Sequence, residues 1–215
     1  MKSVLILGAG NFGSMLARQM NAMGYDIMIA DQREDRINAV MPYVTDAQIG
    51  ECTNPDFLRR LGVGNYDLCV VSISENFQTS LEATSLLKEF GAKQVISRAK
   101  NEIQEKFLLR NGADEVVYPE KHVALRLSTK YASDKILDFI QFDGGDAIYE
   151  MAVPAHWSGK SLRDLDVRRK YNINIISLRR GGQSSALRPD ENFQDGDVVY
   201  ALGEMKNIQR CFHIR

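Results

Sequence analysis

The sequence predicts an α/β protein in which a doubly wound parallel sheet is followed by a small α+β domain. The first observation is the apolar run Val4–Leu7, which leads directly into the glycine-rich turn Gly8–Gly13. The second is Asp31, an acid that directly follows another apolar run, Ile27–Ala30. The third is the alternation of strand-like and helix-like segments over residues 4–118. Strands joined by helices of this length require right-handed crossovers and therefore a parallel sheet.

Each element of the first domain follows from a local pattern. Short apolar runs predict strands, and apolar positions three and four residues apart predict helices. Ser74 is the predicted N-cap of the third helix. The strands are predicted at 4–7, 26–30, 44–49, 67–72, 94–97 and 115–118, and the helices at 12–23, 34–41, 77–90 and 102–110. The apolar positions of the first helix, expected in the core, are Phe12, Met15, Leu16, Met20 and Met23.

The glycine turn and Asp31 have the arrangement of a Rossmann-like dinucleotide-binding segment. Gly8 allows the strand to turn tightly, Gly10 leaves the backbone bare for a pyrophosphate, and Gly13 allows the helix to pack closely against the sheet. Unpaired amides at the helix N-terminus favour phosphate. Asp31 is placed to bond a ribose hydroxyl. The pattern predicts nucleotide binding without giving its purpose.

The pattern changes in the second half of the chain. Residues 122–142 are predicted to form one longer linking helix, and period-two strands are predicted at 148–153, 173–178 and 198–202. Gly181-Gly182 predicts a hairpin turn, Ser161 with Asp164 predicts a capping box, and a terminal helix closes the chain. The predicted domains are 1–142, Rossmann-like with the linking helix, and 143–215, small α+β. The apolar positions of the linking helix are Val123, Leu127, Tyr131, Ile136, Phe139 and Ile140.

Composition and charge exclude several function classes. Lys and Arg number 27 against 28 Asp and Glu, so the formal net charge is −1 and no nucleic-acid partner is expected. No apolar run in the sequence approaches the roughly 20 residues of a membrane-spanning helix. Cys52, Cys69 and Cys211 are odd in number and widely spaced, which predicts buried free thiols in a reducing cytosol.

The sequence offers few groups for catalysis. A nicotinamide-dependent dehydrogenase needs a substrate domain that supplies an acid or base and a cleft that excludes water. The predicted second domain is small, and His122, His156 and His213 stand alone, with no Ser/His/Asp set or metal-ligand spacing. A binding protein is therefore favoured over an enzyme.

Four stretches of the chain carry a specific resemblance. They are Gly8–Gly13 with Asp31, Gly50–Thr53, Asn111–Glu120, and Gly159–Arg168 with Tyr171 and Ile175. Over nearly its whole length the chain resembles the regulator-of-potassium-conductance (RCK/KTN) family. It is most similar to the Ktr/Trk-type cytosolic regulatory subunits of bacterial potassium uptake systems.

The resemblance implies a nucleotide site at the carboxyl ends of the strands. Glu51 stands where the family usually has Asp near the adenosine, and Arg98 approaches a phosphate or is simply solvated. Glu120 matches a family carboxylate associated with a cation near the phosphates; its alternative role is to complement the start of the next helix. The implied nucleotide-binding residues are Gly8, Gly10, Asn11, Phe12, Gly13, Asp31, Gln32, Arg33, Glu51, Cys52, Thr53, Ser72, Ile73, Ser74 and Arg98.

The identity of the nucleotide stays open between NAD(H) and ADP/ATP. Ktr-type members that distinguish ATP from ADP carry an arginine in the glycine turn where this chain has Asn11, and a neutral amide lacks the charged, bidentate grip of a guanidinium. Trk-type relatives with an amide there favour NAD(H). Arg33, two residues beyond Asp31, either accepts a 2′-phosphate, which admits NADPH, or stacks on adenine.

A second ligand is implied for the C-terminal domain. In similar domains, the region equivalent to the basic stretch Arg168–Lys170 lies at a two-fold interface that binds cyclic di-AMP. On that analogy Leu162, Asp166 and Arg168 are the candidate contacts, although Arg163 replaces an apolar one. The alternative for the basic stretch is a solvated helix face.

The function implied by the resemblance is regulatory and not enzymatic. A nucleotide bound to the first domain would bias the geometry of a homodimer that assembles into an octameric ring. The ring would dock on an integral-membrane potassium transporter, so the protein is expected in the cytoplasm, peripheral at the inner face of the cell membrane. The alternative is a small NAD(P)-dependent oxidoreductase.

Overall fold

The computed structural model describes residues 2–142 and 145–214. The chain divides into two compact units, Met1–Glu120 and Lys121–Arg215, which are described separately. Among the described residues, no helix combines the length and the apolar character that crossing a membrane requires.

The first unit contains a six-stranded parallel sheet in the order β3-β2-β1-β4-β5-β6, as the sequence predicts. The order reverses between β1 and β4, so a crevice opens at their carboxyl ends. Its strands are β1 Ser3–Leu7, β2 Asp26–Asp31, β3 Asp46–Ile49, β4 Leu68–Val71, β5 Val95–Arg98 and β6 Glu115–Val117. Its helices are α1 Asn11–Ala22, α2 Glu34–Val40, α3 Pro55–Leu61, α4 Phe77–Glu89 and α5 Glu102–Arg110.

Apolar side chains cover both faces of this sheet. Leu5 and Leu7 of β1 pack into one cluster of buried residues and Val4 and Ile6 into another, because successive side chains of a strand point to opposite faces. The prediction of core positions in α1 is wrong for two methionines. Met15 is 59% exposed and Met23 is 73% exposed, since the buried side of the helix is formed by small residues.

Two helix starts differ from the prediction. The N-cap of α4 is Asn76 rather than Ser74, and its Oδ1 atom accepts from the backbone amides of Gln78 at 2.9 Å and Thr79 at 3.4 Å. The sequence prediction also omits α3, which is capped by Asn54 and ends at Gly62 in the left-handed conformation. Ser74 is thereby left in the loop that borders the crevice.

The second unit is built on a five-stranded antiparallel sheet in the order β10-β9-β11-β8-β7, which confirms the predicted α+β class. Trp157, Phe193 and Phe212 are fully buried in its core. The strands are β7 Ile136–Gln141, β8 Asp146–Ala152, β9 Asn174–Arg180, β10 Gln183–Ser185 and β11 Val198–Glu204. The helices are α6 Pro119–Lys130, which begins at the end of the first unit's sequence, α7 Leu162–Leu165, α8 Val167–Tyr171 and α9 Met205–Phe212.

The prediction of a single helix over residues 122–142 is wrong. Helix α6 ends at Lys130, and Ile136–Gln141 forms β7, which pairs with β8. Phe139 lies opposite Tyr149 in this pair, and their rings stack with centroids 5.9 Å apart. Cross-strand packing of this kind is available only to a strand. The predicted domain boundary between residues 142 and 143 is later than the observed division, and Asp143 lies outside the described residues.

The predicted turns of the second domain are confirmed. Gly181 and Gly182 both adopt positive φ, 56° and 83°, in the connection between β9 and β10. The Ser161 hydroxyl accepts from the Asp164 amide at 3.2 Å, and the Asp164 carboxylate accepts from the Ser161 amide at 2.9 Å. This capping box begins a helix that is interrupted at Asp166, where φ is 47°.

Candidate functional site

The candidate site is an open cleft of about 1050 Å³ at the carboxyl ends of β1, β2 and β4 in the first unit. It lies where the strand order reverses, the usual ligand position in this architecture. It brings together twelve of the predicted nucleotide-binding residues: Gly8, Gly10, Asn11, Phe12, Asp31, Gln32, Glu51, Cys52, Ser72, Ile73, Ser74 and Arg98.

The three glycines of the turn have different surroundings. Gly8 adopts φ +104°, which disfavours any side chain. At Gly13, an added Cβ would lie 2.0 Å from the Gly8 carbonyl oxygen and 2.4 Å from Ser72 Oγ. At Gly10 nothing lies within 4 Å of that position, so this residue faces open space in the cleft. Gly8 and Gly13 are therefore required by the fold, whereas the missing side chain of Gly10 leaves space in the cleft.

The N-terminus of α1 has the features of an anion-binding helix end. Gly10 is its N-cap, no described side chain caps the helix, and its first turn contains no acidic residue. Its first amides are therefore left without a partner along the helix, and the helix dipole adds positive potential at the same place. Phosphate is the group that such a helix end binds best.

Asp31 is held rigidly beside this turn. Its Oδ2 atom accepts from the Ala9 amide at 2.7 Å and its Oδ1 atom from the Arg33 amide at 2.9 Å. The residue is only 5% exposed. An ionised carboxylate has about four acceptor positions, so two stay available for hydroxyl donors such as those of a ribose.

Arg98 offers an unused donor. Its NH2 atom donates to Glu120 Oε1, and its guanidinium lies 5.6 Å from the ring centroid of Phe12. Its buried Nε atom has no hydrogen-bond partner among the described residues. A buried donor without a partner costs free energy, which a bound phosphate oxygen would recover. Arg98 therefore fits a phosphate contact better than the alternative of a solvated side chain.

Glu120, the predicted cation ligand, is bound to Arg98. No group of three or more His, Cys, Asp or Glu in the described part of the chain is arranged to hold a metal ion. The arrangement gives Glu120 a definite role as the partner of Arg98, and its association with a cation stays a prediction.

Three predicted residues do not line the cleft. Gly13 packs behind the turn, Arg33 bonds Asp35 through two nitrogens at 3.0 and 2.7 Å, and the Thr53 hydroxyl bonds Glu51 at 3.2 Å. The sequence prediction also missed residues that do line it. The charged ones are Arg18, Asp35, Arg36 and Glu75.

The cysteine in the cleft is a buried thiol with a raised pKa. Burial raises the pKa of the Cys52 thiol to about 12, with a smaller contribution from Asp31. Cys69 and Cys211 are likewise buried and free, and burial raises the pKa of each to about 12. The prediction of buried free thiols is confirmed, and all three stay protonated at neutral pH.

The residues predicted to bind a second ligand lie on α7, on α8 and at the junction between them. Leu162 packs against the core of the second unit, and Asp166 forms the left-handed link between the two helices. Arg168 lies in the first turn of α8. Cyclic di-AMP binding at these residues stays a prediction.

The fold and the cleft define a class of proteins, in which a Rossmann-like domain is followed by a small domain built on an antiparallel sheet. The TrkA-N domain family matches residues 4–119 and the TrkA-C domain family matches residues 147–214. Ktr system potassium uptake protein C of Bacillus subtilis (strain 168) is 32% identical over 211 residues, covering 97% of this chain and 95% of that protein. Protein A of the same system and organism is 29% identical over 210 residues, covering 97% and 95%.

The chain therefore belongs to the RCK/KTN family, in its Ktr/Trk branch of potassium uptake proteins, as the resemblance in the sequence predicts. The GsuK RCK domain has the same fold, with a TM-score of 0.68 at 15% identity over 99% of this chain. The GsuK channel bound to NAD gives a TM-score of 0.66 at 15% identity, again over 99% of this chain. The chain spans less than half of those two chains, 47% and 39% respectively.

Proposed function

We propose that this protein is a nucleotide-binding regulatory subunit that gates a membrane potassium transporter. The observation that carries the proposal is the cleft at the glycine turn, where the free amides of α1 meet the carboxylate of Asp31 and the unpaired Nε of Arg98. These groups match a pyrophosphate and a ribose, the two parts shared by NAD(H) and ADP/ATP. Relatives of the chain are potassium uptake proteins, and the GsuK channel has been seen with NAD.

The cleft supports binding better than catalysis. Among the described residues that line it there is no histidine, and its thiol, Cys52, stays protonated. Asp31 is fixed in place by the backbone amides of Ala9 and Arg33, which donate to its carboxylate. A hydride-transfer enzyme needs a mobile proton donor or acceptor beside the nicotinamide. The regulatory role is therefore favoured over the small oxidoreductase.

Regulation requires that the nucleotide bind one state of an assembly more tightly than another. We infer a homodimer that builds an octameric ring against the transporter at the inner face of the cell membrane. Support comes from two large apolar side chains left exposed one turn apart on the same side of α5, Ile103 and Phe107, which suit contact with another copy.

The decisive experiment combines ligand identification with an Asp31→Ala variant. Mass spectrometry of the purified protein is expected to find an adenine nucleotide, and calorimetry is expected to show that Asp31→Ala weakens NADH and ADP together. The loss is expected to be about ten- to a hundredfold, because one charge-assisted hydrogen bond is removed. Potassium uptake by cells carrying the variant should lose its dependence on the nucleotide. Unchanged affinity for both ligands would remove Asp31 from the site.

The glycine turn is expected to discriminate poorly between ATP and ADP. Asn11 begins α1 and lines the cleft, but its amide cannot supply a charged partner for a third phosphate. Asn11→Arg is expected to raise the preference for ATP by about tenfold, which corresponds to about 1.4 kcal/mol. Competition titrations on wild type and variant measure this directly. A wild-type preference above about tenfold would mean that another cation, first of all Arg98, already serves the third phosphate.

A further inference from the structure

The side chain of Arg36 connects carboxylates on two walls of the cleft. Its NH1 atom lies 3.6 Å from Asp31 Oδ2, and its NH2 atom donates to Glu75 Oε1. Arg36 belongs to α2, whereas Glu75 lies in the loop between β4 and α4. The Arg36 side chain is 24% exposed and that of Glu75 is 71% exposed. Glu75 thus holds the arginine from the solvent side.

Negative charge prevails on the wall that follows β2. Asp31 and Asp35 line the cleft there, and Glu51 lines it after the neighbouring strand β3. The guanidinium of Arg33 is occupied by Asp35 and points to no other described carboxylate within bonding distance. Arg36 is the cation in contact with Asp31, and its charge is shared with Glu75.

The position of Asp31 determines which part of a bound nucleotide would lie beside these charges. In sites of this kind the acid after the second strand bonds the adenosine ribose, and a nearby arginine is needed to accept a 2′-phosphate. A phosphate monoester brings close to two negative charges at neutral pH. Beside Asp31 such a group would be repelled unless Arg36 turned to it, and Glu75 competes for Arg36.

We propose that Glu75, by holding Arg36, makes the site select nucleotides with a free 2′-hydroxyl over those with a 2′-phosphate. The inference rests on the proposed nucleotide site and specifies its ligand class. It also gives Arg36 the 2′-phosphate contact that was one of the two roles left open for Arg33 in the sequence, because Arg33 bonds Asp35.

The test uses two ligands that differ at one position, ADP-ribose and 2′-phospho-ADP-ribose. Calorimetry on the wild type is expected to show at least about tenfold tighter binding of ADP-ribose, the effect of one charge-assisted contact. E75Q is expected to reduce this ratio by about tenfold, because Arg36 becomes free to bind the added phosphate. The double variant R36Q/E75Q is expected to restore the wild-type ratio.

E82Q is the matched control, since Glu82 is an exposed carboxylate of α4 that bonds Gln78, does not line the cleft and does not touch Arg36. It is expected to change the ratio by less than about threefold, in keeping with a more distant charge. An equal effect of E82Q and E75Q, or a double variant that keeps the reduced ratio, would overturn the role of Arg36. Equal binding of both ligands by the wild type would overturn the inference alone. Failure of the folded wild type to bind either ligand would overturn the proposed function as well.

Discussion

Replacing Gly13 with alanine is expected to lower the free energy of unfolding by about 3 kcal/mol or more. The added Cβ would lie 2.0 Å from the Gly8 carbonyl oxygen, a backbone atom that cannot rotate away. That oxygen also accepts from Ser72, and the Gly8 amide donates to Ala30 at 2.7 Å, so the turn is fixed on two sides. Glycine-to-alanine changes inside helices normally stabilise by up to about 1 kcal/mol. The sign of the measured change is therefore diagnostic.

Gly10 provides the matched control. Its φ of −70° suits any residue, and no atom lies within 4 Å of an added Cβ. Gly10→Ala and Gly10→Leu are expected to unfold at wild-type urea concentrations, while Gly10→Leu weakens adenine nucleotide binding by about a hundredfold by filling the phosphate position. Urea unfolding followed by circular dichroism, together with calorimetry, measures both effects. A Gly13→Ala protein as stable as wild type would contradict the close packing of α1 against the turn.

The parallel sheet and the core of the cleft could be predicted because their signals are local. All strands of a parallel sheet end at the same edge. A strand that runs into Gly8–Gly13 and a neighbouring strand that ends at Asp31 therefore bring these residues together at that edge. The bonds from Asp31 to Ala9 and Arg33 follow from that arrangement. Such constraints need no knowledge of distant parts of the chain.

Strand β7 could not be predicted in this way. Ile136, Phe139 and Ile140 stand at spacings of three and four, which fit a helix, and the short segment offers no sustained alternation against it. The segment forms a strand because it pairs with β8 and because Phe139 stacks on Tyr149. These contacts are non-local. Helix α3 is a different case, because Asn54, Pro55 and Gly62 carried a usable start and stop signal.

The additional charged residues of the cleft depend on which side chains turn inward. Arg33 and Arg36 both follow Asp31 closely, and the sequence does not tell them apart. Helix α2 begins at Glu34, which leaves Arg33 at the N-cap bonded to Asp35 and carries Arg36 towards Asp31. Glu75 joins the site from a loop that is remote in sequence. Only the assembled sheet places it there.

Aspartate at both Val123 and Leu127 is expected to convert the proposed homo-oligomer into folded monomers. These residues lie one turn apart on α6 and are 55% and 48% exposed, and no described residue of α6 is buried. A helix of this length is marginal without packing, so its apolar side is suited to a symmetric contact with a second copy. Burying each side chain contributes about 1.5–3 kcal/mol, so the double change should weaken the dimer by about a hundredfold or more.

Light scattering at several concentrations, paired with nucleotide calorimetry, tests the assembly. The expected result is a monomer that retains wild-type affinity, because the cleft residues are unchanged. Ala124→Asp with Ser128→Asp is the matched control, since it adds the same charges at the same spacing about 100° around the helix. Phe139 and Ile140 are unsuitable targets, because they lie on β7 and Phe139 packs in the core of the second unit. A double variant of wild-type size would exclude α6 as the contact, and a wild type that is already monomeric would contradict the ring on which the proposed gating depends.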